Sequence, residues 1–137
     1  MKITIKKGTK NAKPAQLNEL WKSIGWRPRK IKKWTEVLSK TKIMFTAWHE
    51  KKLIGTGRLI EDGIMCMLYD IGVHPKYQKQ GIGTKILEKL INEIKNKKYA
   101  SIGLFAWKEN KANISFYKKH GFEKTTGMEL TKYMKPE

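Results

Sequence analysis

The chain reads as a mixed α/β protein with a mostly antiparallel sheet, one parallel strand pair and four flanking helices. Three observations lead there. Apolar, strand-like segments at 43–48, 53–60 and 64–73 follow one another with only turn residues between them, which makes an antiparallel meander. The pattern then changes period: Ile82, Ile86, Leu87, Leu90, Ile91 and Ile94 form one helical stripe, with Lys85, Glu88, Lys89 and Glu93 opposite. A further apolar segment at 100–107 follows this helix. A strand, crossover helix and strand join in a right-handed parallel connection, so segments 64–73 and 100–107 should lie side by side.

The remaining elements follow in order. Lys2-Ile3-Thr4-Ile5-Lys6 alternates with period two and predicts a first strand. Pro14 suits a first helical position, Leu17, Leu20 and Trp21 share one face, and Gly25 ends that helix. Ile31, Trp34, Val37 and Leu38 space as a second short helix. Glu50-Lys51-Lys52 forms a hairpin tip, and Asp62-Gly63 is a hairpin signal. Asn113 to His120 reads as a helix closed by Gly121, with Phe122 placed for the apolar contact that follows a glycine cap. A final strand is expected over 123–134, with a turn at Thr126-Gly127-Met128-Glu129 inside it. With no repeat, linker or low-complexity tract, residues 1–137 read as a single domain.

A chain of 137 residues with five Trp and 39% apolar residues can bury a core without staples. The one cysteine, Cys66, excludes an internal disulfide and suits a reducing interior. Cys66 lies in an apolar run and reads as a core thiol with no base at hand, which argues against an acyl-cysteine route. The N-terminus lacks a signal-peptide pattern and no window is long enough to span a membrane, so a cytoplasmic protein is expected. His49, His74 and His120 have no metal-type spacing to Cys, Asp or Glu, and no metal is expected. The formal charge of +18 suits an anionic partner, because a positive field speeds the arrival of anions. Nucleic acid is one such partner. Its binding folds interleave exposed aromatics with basic residues, whereas the aromatic strands here read as core.

The stretch from Val73 to Thr84 carries most of the functional information. An extended segment enters a loop with Gly81 and Gly83, and the loop opens directly into the amphipathic helix. The first N–H groups of a helix have no partner within it, and the positive end of its dipole lies there. A loop built this way receives anions through its backbone. It is not a Walker loop, because Gly83 is followed by Thr84-Lys85 with no glycine at the earlier position required. It is not a dinucleotide fingerprint, because Ile86 stands where the third glycine belongs. The pattern that remains is Gln-x-x-Gly-x-Gly, with Gln78, Gly81 and Gly83 in its slots. This resembles the pyrophosphate-binding signature of the GNAT superfamily of acyl-CoA-dependent N-acyltransferases. Asp-Ile-Gly-Val-His-Pro at 70–75 precedes it and Phe-Tyr-Lys-Lys-His-Gly-Phe at 116–122 follows it at family-like spacing. The element order also matches, over nearly the whole chain, although the N-terminal third rests on that order alone.

The resemblance implies the GNAT fold, with a sheet of six to seven strands, and an N-acetyltransferase that uses acetyl-CoA as acyl donor. It implies that Ile71, Gly72 and Val73 pair through their main chain with the pantetheine arm. Gln78, Lys79, Gln80, Gly81, Ile82, Gly83 and Thr84 would cradle the pyrophosphate. Tyr117 would protonate the coenzyme thiol, and Asn110 would hydrogen-bond the pantetheine. Asn113 departs from the Ala usual in the family. Tyr69-Asp70-Ile71-Gly72-Val73 resembles the Glu-Asp-x-x-Val run of polyamine and glucosamine acetyltransferases, where an acidic pair faces the acceptor; only Asp70 matches. Period two sets Asp70 and Gly72 on one face of the strand, where the carboxylate could bind an ammonium or order a water, and where glycine would admit a ligand. A single carboxylate suits one ammonium, so a small primary amine is the expected acceptor. Trp21, Trp26 and Trp34 read as core, or as one wall of an acceptor cleft. A homodimer is left open, as are two rival functions: a nucleic-acid-binding module and a non-catalytic acyl-CoA-binding protein.

Overall fold

The computed structural model describes residues 2–106 and 109–125. The chain forms two compact units, Met1–Leu104 and Phe105–Glu137. The first contains strand β1 (Ile3–Lys7), helices α1 (Pro14–Ile24) and α2 (Ile31–Lys40), strands β2 (Ile43–His49), β3 (Lys52–Glu61) and β4 (Met65–Val73), a single 3-10 turn (Pro75–Tyr77), helix α3 (Ile82–Ile94) and strand β5 (Ser101–Gly103). The second contains helix α4 (Lys111–Lys119).

The sheet has the order β1-β2-β3-β4-β5. Its first four strands pair antiparallel, and β5 runs parallel to β4, with Met65 opposite Ser101 and Met67 opposite Gly103. The meander and the expected parallel pair are therefore both present. The sheet has five strands among the described residues, where six to seven were expected. Strand β5 is also shorter than the 100–107 segment. It pairs only with the start of β4, and residues 104–106 leave the sheet. Trp107, the Met128 turn and most of the expected last strand lie outside the described residues, and the described part of that strand, 123–125, is irregular.

Local chemistry explains the helix ends. Pro14 opens α1, and the Gln16 side chain accepts a hydrogen bond from the Lys13 N–H at 2.9 Å. Gly25 closes α1 at φ 91°, in the left-handed region that favours glycine. Helix α4 begins two residues earlier than expected because Asn110 caps it, Oδ1 accepting from the Asn113 N–H at 3.1 Å.

Helices α1 and α2 cover one face of the sheet through Leu17, Leu20, Trp21 and Trp34, packed on Met44, Trp48 and Leu53. Trp21 meets Trp26 and Trp34 edge-on at ring distances of 5.0 Å. Trp21 and Trp34 are thus core residues. Cys66 is buried as well, and burial raises its thiol pKa, which keeps it protonated and inert.

Helix α3 covers the other face, burying Ile82, Ile86, Leu87, Leu90 and Ile94. Each such side chain removed from water contributes about 1.5–3 kcal/mol. The helix sits close because β3 offers glycine beneath it. A Cβ on Gly57 would lie 2.5 Å from Ile86 Cγ2 and 3.0 Å from Leu90 Cδ1, and one on Gly55 would lie 3.2 Å from Ile86 Cδ1. Gly57→Ala should therefore cost about 1–3 kcal/mol through overpacking, read from the urea midpoint. The cost should shrink in an Ile86→Ala background, because the offending methyl is gone. An undiminished cost there would rule out this contact as the cause.

Candidate active site

The site begins where β4 becomes irregular. Thr56 pairs with Gly72 and Arg58 with Tyr69, so one residue of β3, Gly57, faces two of β4, Asp70 and Ile71. This is a β-bulge, and Asp70 adopts φ 55° within it. Aspartate is among the few non-glycine residues that tolerate this region. Strand β5 stops pairing at Met67, so β4 from Leu68 to Val73 has no strand partner on that edge among the described residues. A free main-chain edge of this kind can pair with an extended, amide-bearing ligand.

The chain then turns. Nδ1 of His74 accepts from the Lys76 N–H at 3.1 Å and caps the 3-10 turn. Tyr77 at its end is held by His49, whose Nδ1 lies 2.8 Å from the Tyr77 hydroxyl. The Gln78 side chain donates from Nε2 to the Val73 carbonyl at 2.9 Å, tying the loop back to the strand. Gln78 therefore shapes the loop, and its amide group is engaged within the protein. Lys79 and Gly81 both take positive φ, 64° and 82°, which turns the backbone sharply before Ile82 starts α3. Among the described residues no N–H from Lys79 to Thr84 donates to a protein acceptor. Lys79, Gln80 and Gly81 are exposed, and Gly83 and Thr84 half-exposed; the Ile82 side chain is buried in the core, so this residue can offer only its backbone. The loop thus meets the requirement for an anion cradle: unpartnered amides at a helix start, with no side chain in the way.

The strand residues have partners that the sequence did not reveal. Gly72 is needed for Trp26: a Cβ there would lie 2.5 Å from Trp26 Cη2 and 2.9 Å from Ile24 Cδ1. The close approach expected of a ligand at Gly72 is made on this face by tryptophan. Asp70 lies toward the same helical layer, as period two suggested. Its Oδ2 accepts from Arg58 Nε at 2.5 Å and lies 3.6 Å from Arg29 Nη1. Oδ1 makes no hydrogen bond among the described residues. Arg58 is itself buried, donating to Thr41 Oγ1 at 3.3 Å and lying over the Tyr69 ring at 5.5 Å. Arg29 stacks on Trp34 and Trp21 at 4.6 and 5.5 Å. Asn18 fixes its backbone, taking the Arg29 N–H at 2.9 Å and donating to the Arg29 carbonyl at 2.8 Å. Sequence reasoning missed Arg29 and Arg58. The signal for Arg58 was present: an arginine inside the apolar strand Leu53–Ile60 must find a carboxylate to be buried.

In the second unit Tyr117 is buried, between Phe116 at 5.1 Å and Phe122 at 5.9 Å. Burial raises its hydroxyl pKa, so it remains protonated at neutral pH. That hydroxyl makes no hydrogen bond among the described residues. Asn110 uses Oδ1 for the α4 cap, which leaves its Nδ2 to offer. Asn113 is exposed and its backbone receives that cap.

The family model for the GNAT acetyltransferase domain matches residues 40–124. The chain belongs to the GNAT acetyltransferase family. The matched span includes the bulge, the 78–84 loop and Tyr117. The chain is 32% identical over 120 residues to the uncharacterized N-acetyltransferase ycf52 of Pyropia yezoensis, covering 84% of this chain and 67% of that protein. It is 39% identical over 59 residues to the ribosomal protein bS18-alanine N-acetyltransferase of Escherichia coli K12, covering 43% of this chain and 40% of that one. The GNAT family acetyltransferase SP0256 from Streptococcus pneumoniae TIGR4 superposes with a TM-score of 0.79 at 27% identity, over 97% of this chain and 100% of that one. The enzyme class is therefore acyl transfer. Among the described residues no group of His, Cys, Asp or Glu could hold a metal ion, and no helix is long and apolar enough to cross a membrane.

The cap on the GNAT loop is sensitive to acid. An Nδ1 that accepts a hydrogen bond must be unprotonated, and partial burial together with Lys52 and Lys76 pushes the His74 pKa below its ordinary 6.5, against a weaker opposing pull from Glu19. The folded state thus prefers neutral His74. This stabilisation is complete above pH 6.5 and is lost as pH falls through the lowered value. The thermal midpoint should drop between pH 7 and pH 5 more steeply in the wild type than in His74→Asn, which keeps an acceptor but cannot titrate. Parallel curves for the two proteins would remove His74 from this role.

Proposed function

We propose that residues 1–137 form one cytoplasmic acyltransferase domain that moves an acetyl group from acetyl-CoA to a primary amine of a small acceptor, by direct attack in a ternary complex. The observation that carries this reading is the run of N–H groups from Lys79 to Thr84, unpartnered among the described residues, at the start of α3, a short turn beyond a strand edge that β5 leaves open.

When bound, acetyl-CoA supplies the thioester whose acetyl group is transferred. The loop amides fit its phosphates, since a helix start with a turned backbone binds anions without needing a charged side chain. The open edge of β4 at Ile71, Gly72 and Val73 fits the amides of the pantetheine arm. An N–H near Val73 would polarise the thioester carbonyl and stabilise charge that develops on its oxygen. Asn110 Nδ2, which makes no hydrogen bond among the described residues, would assist in holding the arm. Tyr117 is the general acid in this reading, giving its Oη proton to the leaving sulfur; its support is local, a buried phenol that remains protonated and whose hydroxyl has no hydrogen-bond partner among the described residues. Asp70 is held by two arginines. It acts through Oδ1, orienting the amine or the water that takes the amine's proton.

A second reading of the acceptor is a protein N-terminus. Similarity to the bS18-alanine N-acetyltransferase favours it. The test is a panel of small amines and short peptides with acetyl-CoA, followed as free thiol. Small primary amines should release thiol faster than peptide N-termini. Tyr117→Phe should slow release by about a hundredfold or more while thermal stabilisation by coenzyme A persists. An unchanged rate would remove the acid, and no stabilisation by coenzyme A would remove the donor.

A further inference from the structure

The charge around the bulge does not suit a simple ammonium. Asp70 is the one carboxylate there among the described residues, and it meets two guanidiniums, Arg58 at 2.5 Å and Arg29 at 3.6 Å, both on Oδ2. The cluster is therefore one positive charge in excess. The carboxylate also fails to satisfy its partners: Arg29 Nη1 is buried and makes no hydrogen bond among the described residues. A buried donor left unpaired costs about 1–3 kcal/mol, and such a group calls for an explanation.

The chain around Arg29 adds further positive charge. Arg27, Lys30 and Lys32 are exposed and make no ion pair among the described residues. Lys32 stands in the first turn of α2, with no acidic residue in that turn, where the helix dipole disfavours cations; Lys33 beside it pairs with Glu36 at 3.1 Å. Helix stability does not explain this arrangement. It is explained if the excess charge faces a ligand. Asp70 and Arg29 keep 15% and 24% of their side-chain surface open.

We infer that the acceptor carries an anionic group, carboxylate or phosphate, close to the amine that is acetylated. Arg29, supported by Lys30 and Lys32, receives the anion, and Asp70 Oδ1 takes a hydrogen bond from the neighbouring amine. A polycationic amine meets net repulsion at the same place. This rests on the transferase reading and on the acyl donor lying along β4, and it narrows the acceptor class within that reading.

Matched amines test it. The enzyme is given acetyl-CoA with O-phosphoethanolamine against ethanolamine, phenylalanine against 2-phenylethylamine, and putrescine as the cationic control, with thiol release as the readout and coenzyme A binding followed separately by calorimetry. In at least one pair the anionic member should show a kcat/KM at least about tenfold above its neutral match, and putrescine should be the poorest. The pair that responds tells phosphate from carboxylate. The preference should shrink as salt rises from about 0.05 to 0.5 M, since screening weakens partly exposed charges. Arg29→Gln should collapse the ratio through KM, and Arg29→Lys should restore part of it. If Arg29→Gln fails to fold, Arg29→Lys and the salt series still decide. Neutral or cationic amines performing as well as the anionic ones would overturn the inference. So would coenzyme A heat with no turnover of any anionic amine, and that outcome leaves the donor site standing. No heat with coenzyme A would sink the transferase reading and the inference with it.

Discussion

The close seating of α3 on β3 positions nearly everything that matters here. Ile86 and Leu90 rest where only glycine fits, at Gly55 and Gly57. The helix is therefore pressed against the middle of the sheet, and its first turn follows the end of β4 through the short loop at 74–81. A bulkier residue at either glycine would lift the helix and separate the loop amides from the strand edge. Anion binding at a helix start is a backbone property, but its use in a reaction depends on where the helix begins. Gly81 in the left-handed region, the His74 cap and the Gln78 tie to Val73 complete the placement. Each is a local hydrogen bond or dihedral that fixes one degree of freedom of the loop.

The second organising interaction is the Arg58–Asp70 pair across the bulge. A buried arginine in an apolar strand is costly unless matched, and the match here is a carboxylate in a strained backbone position. The two features support each other: the bulge turns Asp70 toward the helical layer, and Arg58 holds it there. Arg29 joins from the segment between α1 and α2, held by two tryptophans and Asn18. Core packing and the charge around the bulge are thus built from the same residues, because the aromatic cluster that anchors α1 to α2 also carries the arginine.

Periodicity and turn chemistry revealed most of the fold. The meander, the helical stripe of α3 and the parallel β5 were all legible, because each depends on contacts close in sequence or on the handedness of a crossover. The turn into α3 was legible for the same reason: Gly81 acts through a local dihedral, and Gly83 lies in the first helical turn. The length of β5 was not, since it stops after Gly103 although its apolar sequence continues to Ala106 and beyond, and most of the expected last strand lies outside the described residues. The packing partner of Gly72 was not legible, because Trp26 lies 46 positions away in sequence and contacts of that range leave no local pattern. Asp70 was found by motif, but its two arginines were not. Arg58 could have been suspected as a lone charge in an apolar strand. Arg29 sits in a basic run where nothing distinguishes it from Arg27 or Lys30.

The amides themselves give the most direct evidence. In a ¹H–¹⁵N spectrum titrated with coenzyme A, the largest shifts should fall on the backbone signals of Lys79 to Thr84, with smaller ones at Ile71 to Val73. Dephosphorylated pantetheine should move the second group and leave the first in place. Shifts spread over surface lysines, with the 79–84 amides unmoved at saturating coenzyme A, would contradict the assignment of this loop as the place where the acyl donor is held.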